Sequence, residues 1–349
     1  MKGRFTRRDF LKASGCAVTG AFVLGLAGCG SQSGGQAGSE AVTKLKPSIY
    51  CGPECQKALK LNASPKSIKG SVLLSWNSAT HPYGAATLER GKQFQQKFFP
   101  NMKLQTADGR NDATTQSSQI DDAVSRGLDV LIISPLDVDA LVPAVKRAEA
   151  KGVKVIAADR RVNTDILTYI GANSVESGRI VGRYYVDHLK DGGNVVEIQG
   201  TLGASATIDR HKGFTEVIKE HPEIKVVASQ TGNYAREDAL KVMEDFLQRF
   251  PKGQIDAVFT HNDEMALGAL KAIQEAGRQN EMFITGFDGE DSAFQAIKAG
   301  QIAATSVYPV MSNESLIGAA KILAGEKLPA QILLETPLVT KDNINKWDR

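Results

Sequence analysis

The sequence predicts an α/β protein built as two doubly wound parallel-sheet lobes, and three observations predict it. From Gly70 onward, short apolar runs alternate with helical stretches, the pattern of strands joined by crossover helices. The helices close on glycine, as at Gly127, Gly152 and Gly277, where a left-handed residue ends a helix without a Cβ clash. The apolar runs number about ten, more than one compact sheet of this kind holds. A chain of 349 residues has the length for two such cores.

Taken in order, the first half reads as strand Ser71–Trp76, helix Ala85–Phe98, strand Met102–Ala107, helix Thr114–Arg126, strand Asp129–Ile133, helix Ala140–Ala150 and strand Val153–Ala158. Leu167–Ile170 is a shorter strand. The pattern then restarts with helix Ser177–Leu189, strand Asn194–Ile198, helix Ile208–Glu220, strand Lys225–Ser229 and helix Arg236–Phe250. Next comes one βαβ unit: strand Ile255–Phe259, helix Asp263–Ala276 and strand Met282–Thr285. Helix Phe294–Lys298, strand Ile302–Val307, helix Asn313–Ala324 and a single last strand Ile332–Leu338 complete the chain. No Gly/Ser linker divides the halves, so the chain is expected to cross between lobes several times through short segments.

In open parallel sheets, ligands sit beyond the carboxyl ends of the strands, where short loops present side chains from a rigid base. The residues at those ends are Ser75 to Tyr83, Asp159 and Arg160, Gly200 to Arg210, Asn233 and Tyr234, Asn262, Asp288 and Tyr308. They are rich in Asp, Asn, Arg and aromatics. Carboxylate and amide oxygens accept a hydroxyl proton, Arg and amide N–H groups donate to its oxygen, and aromatic faces cover the C–H face of a sugar ring. That chemistry suits a polyol. Each residue has a structural alternative: Asp159 with Arg160 as a local ion pair, Tyr234 and Tyr308 as core edges, Arg210 as a helix-surface charge. Of the adjacent pair after Phe259, Asp263 is assigned to helix capping and Asn262, with Asp288, to a site.

The N-terminus reads as a targeting segment. Thr6-Arg7-Arg8-Asp9-Phe10-Leu11-Lys12 matches the twin-arginine export pattern, and the apolar run from Ala13 to Ala27 is too short to span a bilayer. Leu26-Ala27-Gly28-Cys29 has the form of a lipobox, so residues 1–28 are expected to be a signal peptide and Cys29 the lipidated first residue of the mature chain. Residues 29–69 then form a tether, flexible from Gly30 to Gly38, and an N-terminal extension. The net charge of +3 includes five basic residues and one acidic residue in that signal, so the balance without it is −1, which argues against nucleic acid as a partner. Cys16 leaves with the signal, and Cys51 and Cys55, in CGPEC, are expected either to form a small disulfide or to have no function. No further Cys or His stands near enough to complete a metal site.

Other functional classes find little support. No GxSxG elbow, HExxH, P-loop or strand-borne GxGxxG occurs, and the five histidines are scattered, so neither catalysis nor a cofactor is expected. Asp159 and Asp288 could imitate the carboxylate pair of a glycosidase, which hydrolysis of an aryl glycoside would reveal. A transcription regulator would need a helix-turn-helix where the export signal stands.

From Gly70 to the C-terminus the chain resembles the substrate-binding proteins of sugar ABC importers, of the ribose- and galactofuranose-binding kind, whose periplasmic binding protein-like I fold is shared by the ligand domains of LacI-type repressors. The resemblance rests on Ala158-Asp159-Arg160, on VVEIQGTLGASATIDRHKGF from Val195 to Phe214, on HNDEMALGAL from His261 to Leu270, and on Gly286-Phe287-Asp288-Gly289. It implies lobes of residues 70–172 with 307–334 and of residues 173–306 with 335–349, joined by three hinge strands. It further implies a monosaccharide, pentose or hexose, held by Asp159, Arg160, Arg210, Asn262 and Asp288, with Tyr83 and Tyr234 stacking and a first loop, Thr80 to Gly84 with His81, touching it. The lobes would close on the sugar and dock as a monomer on a permease with its ATPase. A receptor for a sugar-like signal, such as autoinducer-2 or inositol, is the alternative implied. The chain departs from ribose binders at Tyr83-Gly84, His81 and Tyr308, where those resemble one another in two adjacent aromatics, an Asn and a Gln, and it lacks the Arg of galactofuranose binders at Gly84. The sugar is therefore left open.

Overall fold

Strands form where aliphatic runs can be buried on both faces. Val130–Ser134 (VLIIS) and Ala257–Thr260 (AVFT) have no exposed residue. Fully burying each large aliphatic side chain stabilises by roughly 1.5–3 kcal/mol, so runs of this composition belong inside a covered sheet. The computed structural model describes Leu45 and residues 47–347, with twelve strands among them. The twin-arginine pattern, the apolar run, Cys16, Cys29 and the Gly30–Gly38 tether lie outside the described residues.

β1 (Gly70–Trp76), β2 (Met102–Asp108), β3 (Val130–Ser134), β4 (Lys154–Ala158), β5 (Thr168–Ala172) and β11 (Gln331–Leu334) make one sheet, in the order β11-β5-β4-β3-β1-β2. β6 (Gly193–Gln199), β7 (Ile224–Thr231), β8 (Ala257–Thr260), β9 (Phe283–Asp288), β10 (Ala304–Val307) and β12 (Leu338–Thr340) make the other, in the order β12-β10-β9-β8-β6-β7. The molecule is thus two α/β lobes of the same strand order, although no sequence repeat is evident. All pairings are parallel except β10 with β12, which is antiparallel. Alternation along a strand serves both faces: Val72, Leu74 and Ile132 enter one core cluster while Leu73, Leu131 and Ile133 enter another.

The last expected strand is two. β11 ends at Leu334 and β12 begins at Leu338, in different sheets, so the Ile332–Leu338 run is broken where the chain changes lobe. Pro337 sits in that break, and its carbonyl accepts Val307 N–H at 2.8 Å. An unforeseen helix, Pro53–Ala58, opens with Pro at its first turn, where a missing N–H is harmless. Cys55 within this helix is disulfide-bonded to Cys51 just before it, with Cα atoms 5.1 Å apart. This extension packs onto the body: Tyr50 stacks on Trp347 and its carbonyl accepts Glu335 N–H at 2.9 Å.

Candidate functional site

In both lobes the strand order reverses direction between the first two strands laid down and the third, at β1/β3 and at β6/β8. The loops after these strands face one another across a small cavity of about 50 Å³. It is lined by Trp76, Asn77, Ser78, His81, Tyr83, Gly84, Asp159, Arg160, Ala206, Arg210, Tyr234, Asn262, Asp288 and Tyr308. Of the residues singled out to hold a ligand, His81, Tyr83, Asp159, Arg160, Arg210, Tyr234, Asn262, Asp288 and Tyr308 are there; Thr80 is not, being exposed and bonding Ser78 Oγ through its own hydroxyl at 2.7 Å, and neither is Asn233.

The first lobe supplies a hydrogen-bonded relay. Asn77 Nδ2 donates to Ser134 Oγ at 3.0 Å, and Ser134 Oγ donates to Asp159 Oδ2 at 2.7 Å. Asp159 O accepts from Tyr169 OH at 2.8 Å and from Tyr308 OH at 3.1 Å. Arg160 Nε lies 3.8 Å from Asp159 Oδ2, so the local ion pair exists, yet both groups also line the cavity. Arg160 Nη1 donates to Leu136 O at 3.0 Å, and its guanidinium lies 5.4 Å from the Tyr234 ring of the second lobe.

The second lobe supplies buried charge. Arg210, on the helix Ser205–Ile218, is 3% exposed and is no surface charge. Its Nη1 donates to His261 O at 2.5 Å, its Nη2 lies 3.6 Å from Asp288 Oδ1, and its guanidinium lies 4.7 Å from the rings of both Phe287 and Tyr308. Burial pushes the Asp288 carboxyl above its ordinary range, and the Arg210 guanidinium beside it pulls it back. Tyr234 OH is bonded to Thr207 Oγ1 at 2.8 Å. Tyr83, between Trp76 and Tyr308 with ring centroids at 6.2 and 5.8 Å, donates its hydroxyl to Pro309 O at 3.1 Å. Burial lowers the His81 imidazole below its ordinary value.

Backbone strain marks the same place. Asp159, Tyr234 and Asp288 have φ of 65°, 61° and 114°, a region that non-glycine residues enter at a cost of roughly 1–3 kcal/mol each. Such strain persists where surrounding structure over-determines it, and all three line the cavity.

The assignment of Asn262 and Asp263 is corrected. Asn262 is the cap: its Oδ1 accepts Met265 N–H at 2.9 Å at the start of helix Asp263–Glu275, while its Nδ2 donates to Tyr234 O at 3.3 Å and the residue also lines the cavity. Asp263 is buried and reaches across to the next strand end, where it accepts Gly289 N–H at 2.8 Å, Glu290 N–H at 2.9 Å and the Thr305 hydroxyl at 2.7 Å. It therefore anchors the backbone that carries Asp288.

Trp76, Asn77, Ser78 and Ala206 also line the cavity; they fall within the strand-end stretches Ser75 to Tyr83 and Gly200 to Arg210 but are not singled out as ligand residues, Trp76 because it also closes a strand and Ala206 because it carries no polar side-chain atom. Gly84 is needed where it stands, because a Cβ there would overlap the Ser78 carbonyl oxygen. A second aromatic beside Tyr83 has no room.

The fold and cavity define a two-lobed binding protein whose site is shared between lobes. Residues 72–324 match the periplasmic binding protein domain, and this chain belongs to that family. It is 35% identical over 248 residues to the xylitol-binding protein of Mycolicibacterium smegmatis, covering 70% of each chain. It is 34% identical over 298 residues to the ribose import binding protein of Bacillus subtilis, covering 83% of this chain and 94% of that protein. The solved structure of the fructose-binding periplasmic domain of a hybrid two-component system is similar with a TM-score of 0.76 at 29% identity, covering 80% of this chain and 93% of that one.

Proposed function

We propose that this chain captures a monosaccharide or related polyol outside the cytoplasm, closes its lobes on it, and delivers it to an ABC permease. The observation that carries the reading is the composition of the interlobe cavity: Asp159, Arg160, Arg210, Asn262 and Asp288 at hydroxyl-bonding positions, with Tyr83, Tyr234 and Tyr308 as flat walls. Arg210 Nε is a buried donor without a protein partner among the described residues, which suits an oxygen of the ligand. Xylitol and ribose, the ligands named for two relatives, are both small polyhydroxyl compounds. The lobes are residues 70–172 with 307–334 and residues 173–306 with 335–349. Export follows the twin-arginine route, Cys29 carries lipid, and the chain acts as a monomer that binds without turnover. Ligand binding by closure follows from bonds that both lobes complete only when together.

A receptor role is the second reading, supported by the similarity to a domain of a hybrid two-component system. Thermal unfolding of the full chain against xylitol, D-ribose, other pentoses, hexoses and myo-inositol tests the class. A ligand at about a hundred times its dissociation constant stabilises by roughly 2.7 kcal/mol, and at least one polyol is expected to do so. Silence across the panel refutes the polyol reading. Co-purification with a permease and its ATPase, against a histidine kinase, separates transport from reception.

A further inference from the structure

Two pairs of neighbouring residues divide their side chains between the cavity and its rim. Arg160 lines the cavity and Arg161 does not; Arg210 lines it and Asp209 does not. On the rim, Arg161 Nη2 lies 2.7 Å from Asp209 Oδ1 and 2.6 Å from Oδ2, and Arg161 N–H donates to Ser205 Oγ at 2.9 Å. Beside them Val138 N–H donates to Gly203 O at 3.2 Å. Val138 and Arg161 follow β3 and β4 of the first sheet, whereas Gly203, Ser205 and Asp209 follow β6 of the second. Each of these bonds crosses from one lobe to the other, and none of these residues lines the cavity.

The rim is shaped for this contact on both sides. Gly203 has φ +81°, and a Cβ there would overlap Asp137 Oδ2 across the gap, so a side chain at this position would hold the lobes apart. Asp137 is itself fixed by accepting Asp139 N–H at 2.8 Å and Ala140 N–H at 2.9 Å, and Val138 O accepts Asn163 N–H at 2.8 Å. On the opposite side Thr207 Oγ1 bonds Thr201 O at 2.8 Å and the hydroxyl of Tyr234, a cavity residue. Two braced rims therefore meet, and Arg161 and Asp209 each adjoin a cavity arginine in the chain.

We infer that this contact is a latch: Arg161, with Asp209, Ser205 and the Val138–Gly203 backbone bond, holds the lobes together and sets the affinity for every ligand by the same factor. These are positioning residues, since they touch the other lobe and not the cavity. A ligand that requires the closed form binds with an apparent dissociation constant divided by the closed fraction, so a contact that raises that fraction tightens all ligands equally. Arg161 is 48% exposed and Asp209 7%, so the ion pair is partly screened and its effect is modest and salt-sensitive. The inference rests on the reading that ligands are held by closure.

The test uses the full chain as wild type, Arg161→Ala, Ser205→Ala and the charge exchange Arg161→Asp with Asp209→Arg. Small-angle scattering of the ligand-free proteins reports lobe separation, and calorimetric titration with xylitol and D-ribose reports affinity. Arg161→Ala is expected to shift the scattering toward an open form and to weaken both polyols by the same roughly 3- to 10-fold factor, expressed as faster dissociation. Ser205→Ala gives a smaller shift, the charge exchange restores closure, and added salt weakens wild type more than Arg161→Ala. Unchanged scattering in Arg161→Ala overturns the latch. Unequal losses for the two polyols overturn it as well, since they indicate direct ligand contact. If neither polyol binds any of the proteins, the binding reading falls while the scattering still decides the latch.

Discussion

Asp159 and Arg210 face one cavity from lobes of identical strand order, yet they are held by different means. In the first lobe, Asp159 ends a relay of neutral groups, Asn77 to Ser134 to the carboxylate. In the second, Arg210 leans on the carbonyl of His261, whose Nε2 is 2.9 Å from the buried Glu197. Glu197 also bonds His211 Nδ1 at 2.8 Å and accepts the Ser229 hydroxyl at 2.7 Å. These bonds outweigh burial and hold its carboxyl well below the ordinary range. Topology places the strand ends alike in both lobes; the side-chain networks beneath decide whether a dipole relay or a buried charge network orients the residue above. A charged network loses more when one member is removed, because the others stay buried and unpaired.

The comparison breaks or sharpens through variants taken from each side. Asp263→Ala leaves two backbone N–H groups and the Thr305 hydroxyl without their acceptor, and is expected to lower unfolding stability by roughly 2–5 kcal/mol in chemical denaturation. A loss under about 1 kcal/mol would show that Asp263 does not anchor the second lobe's strand end. Arg210→Ala removes a buried charge paired to Asp288, and polyol affinity measured by titration should fall by at least about 2 kcal/mol. Ser134→Ala cuts the neutral relay and should weaken the same polyol by only about 1 kcal/mol. If the Ser134 and Arg210 variants cost the same, the contrast between the lobes is wrong.

The smallest effect is a pH dependence. The hydrogen bond to Glu197 raises His211 above its ordinary value of 6.5, against partial burial, so folding takes up a proton there. The stability it contributes is complete below that value and disappears as pH rises through the folded-state value. The stability difference between wild type and His211→Gln should therefore be largest on the acid side of neutrality and shrink above it, read as the change in unfolding midpoint with pH. A difference that grows with pH would reverse the assignment.

Periodicity, glycine stops and polar strand ends were enough to give two α/β lobes and to name most of the residues that gather around the cavity, because those signals are local and strand ends converge in this sheet order. Three particulars were not legible. Asn262 and Asp263 can each cap a helix, and only the approach of Gly289, Glu290 and Thr305, some 26 to 42 residues away, turns Asp263 into an anchor and leaves the cap to Asn262. The run from Ile332 to Leu338 looks like one strand until β5 and β10, in different sheets, each claim part of it. Nothing in the sequence pairs Arg161 with Asp209, and only folding sets them across the rim from one another. The sequence by itself determined where helices and strands form and which polar groups stand at their ends, since propensity and burial pattern act over a few residues. Tertiary structure alone decided which partner each polar atom finds, because that partner comes from a distant part of the chain.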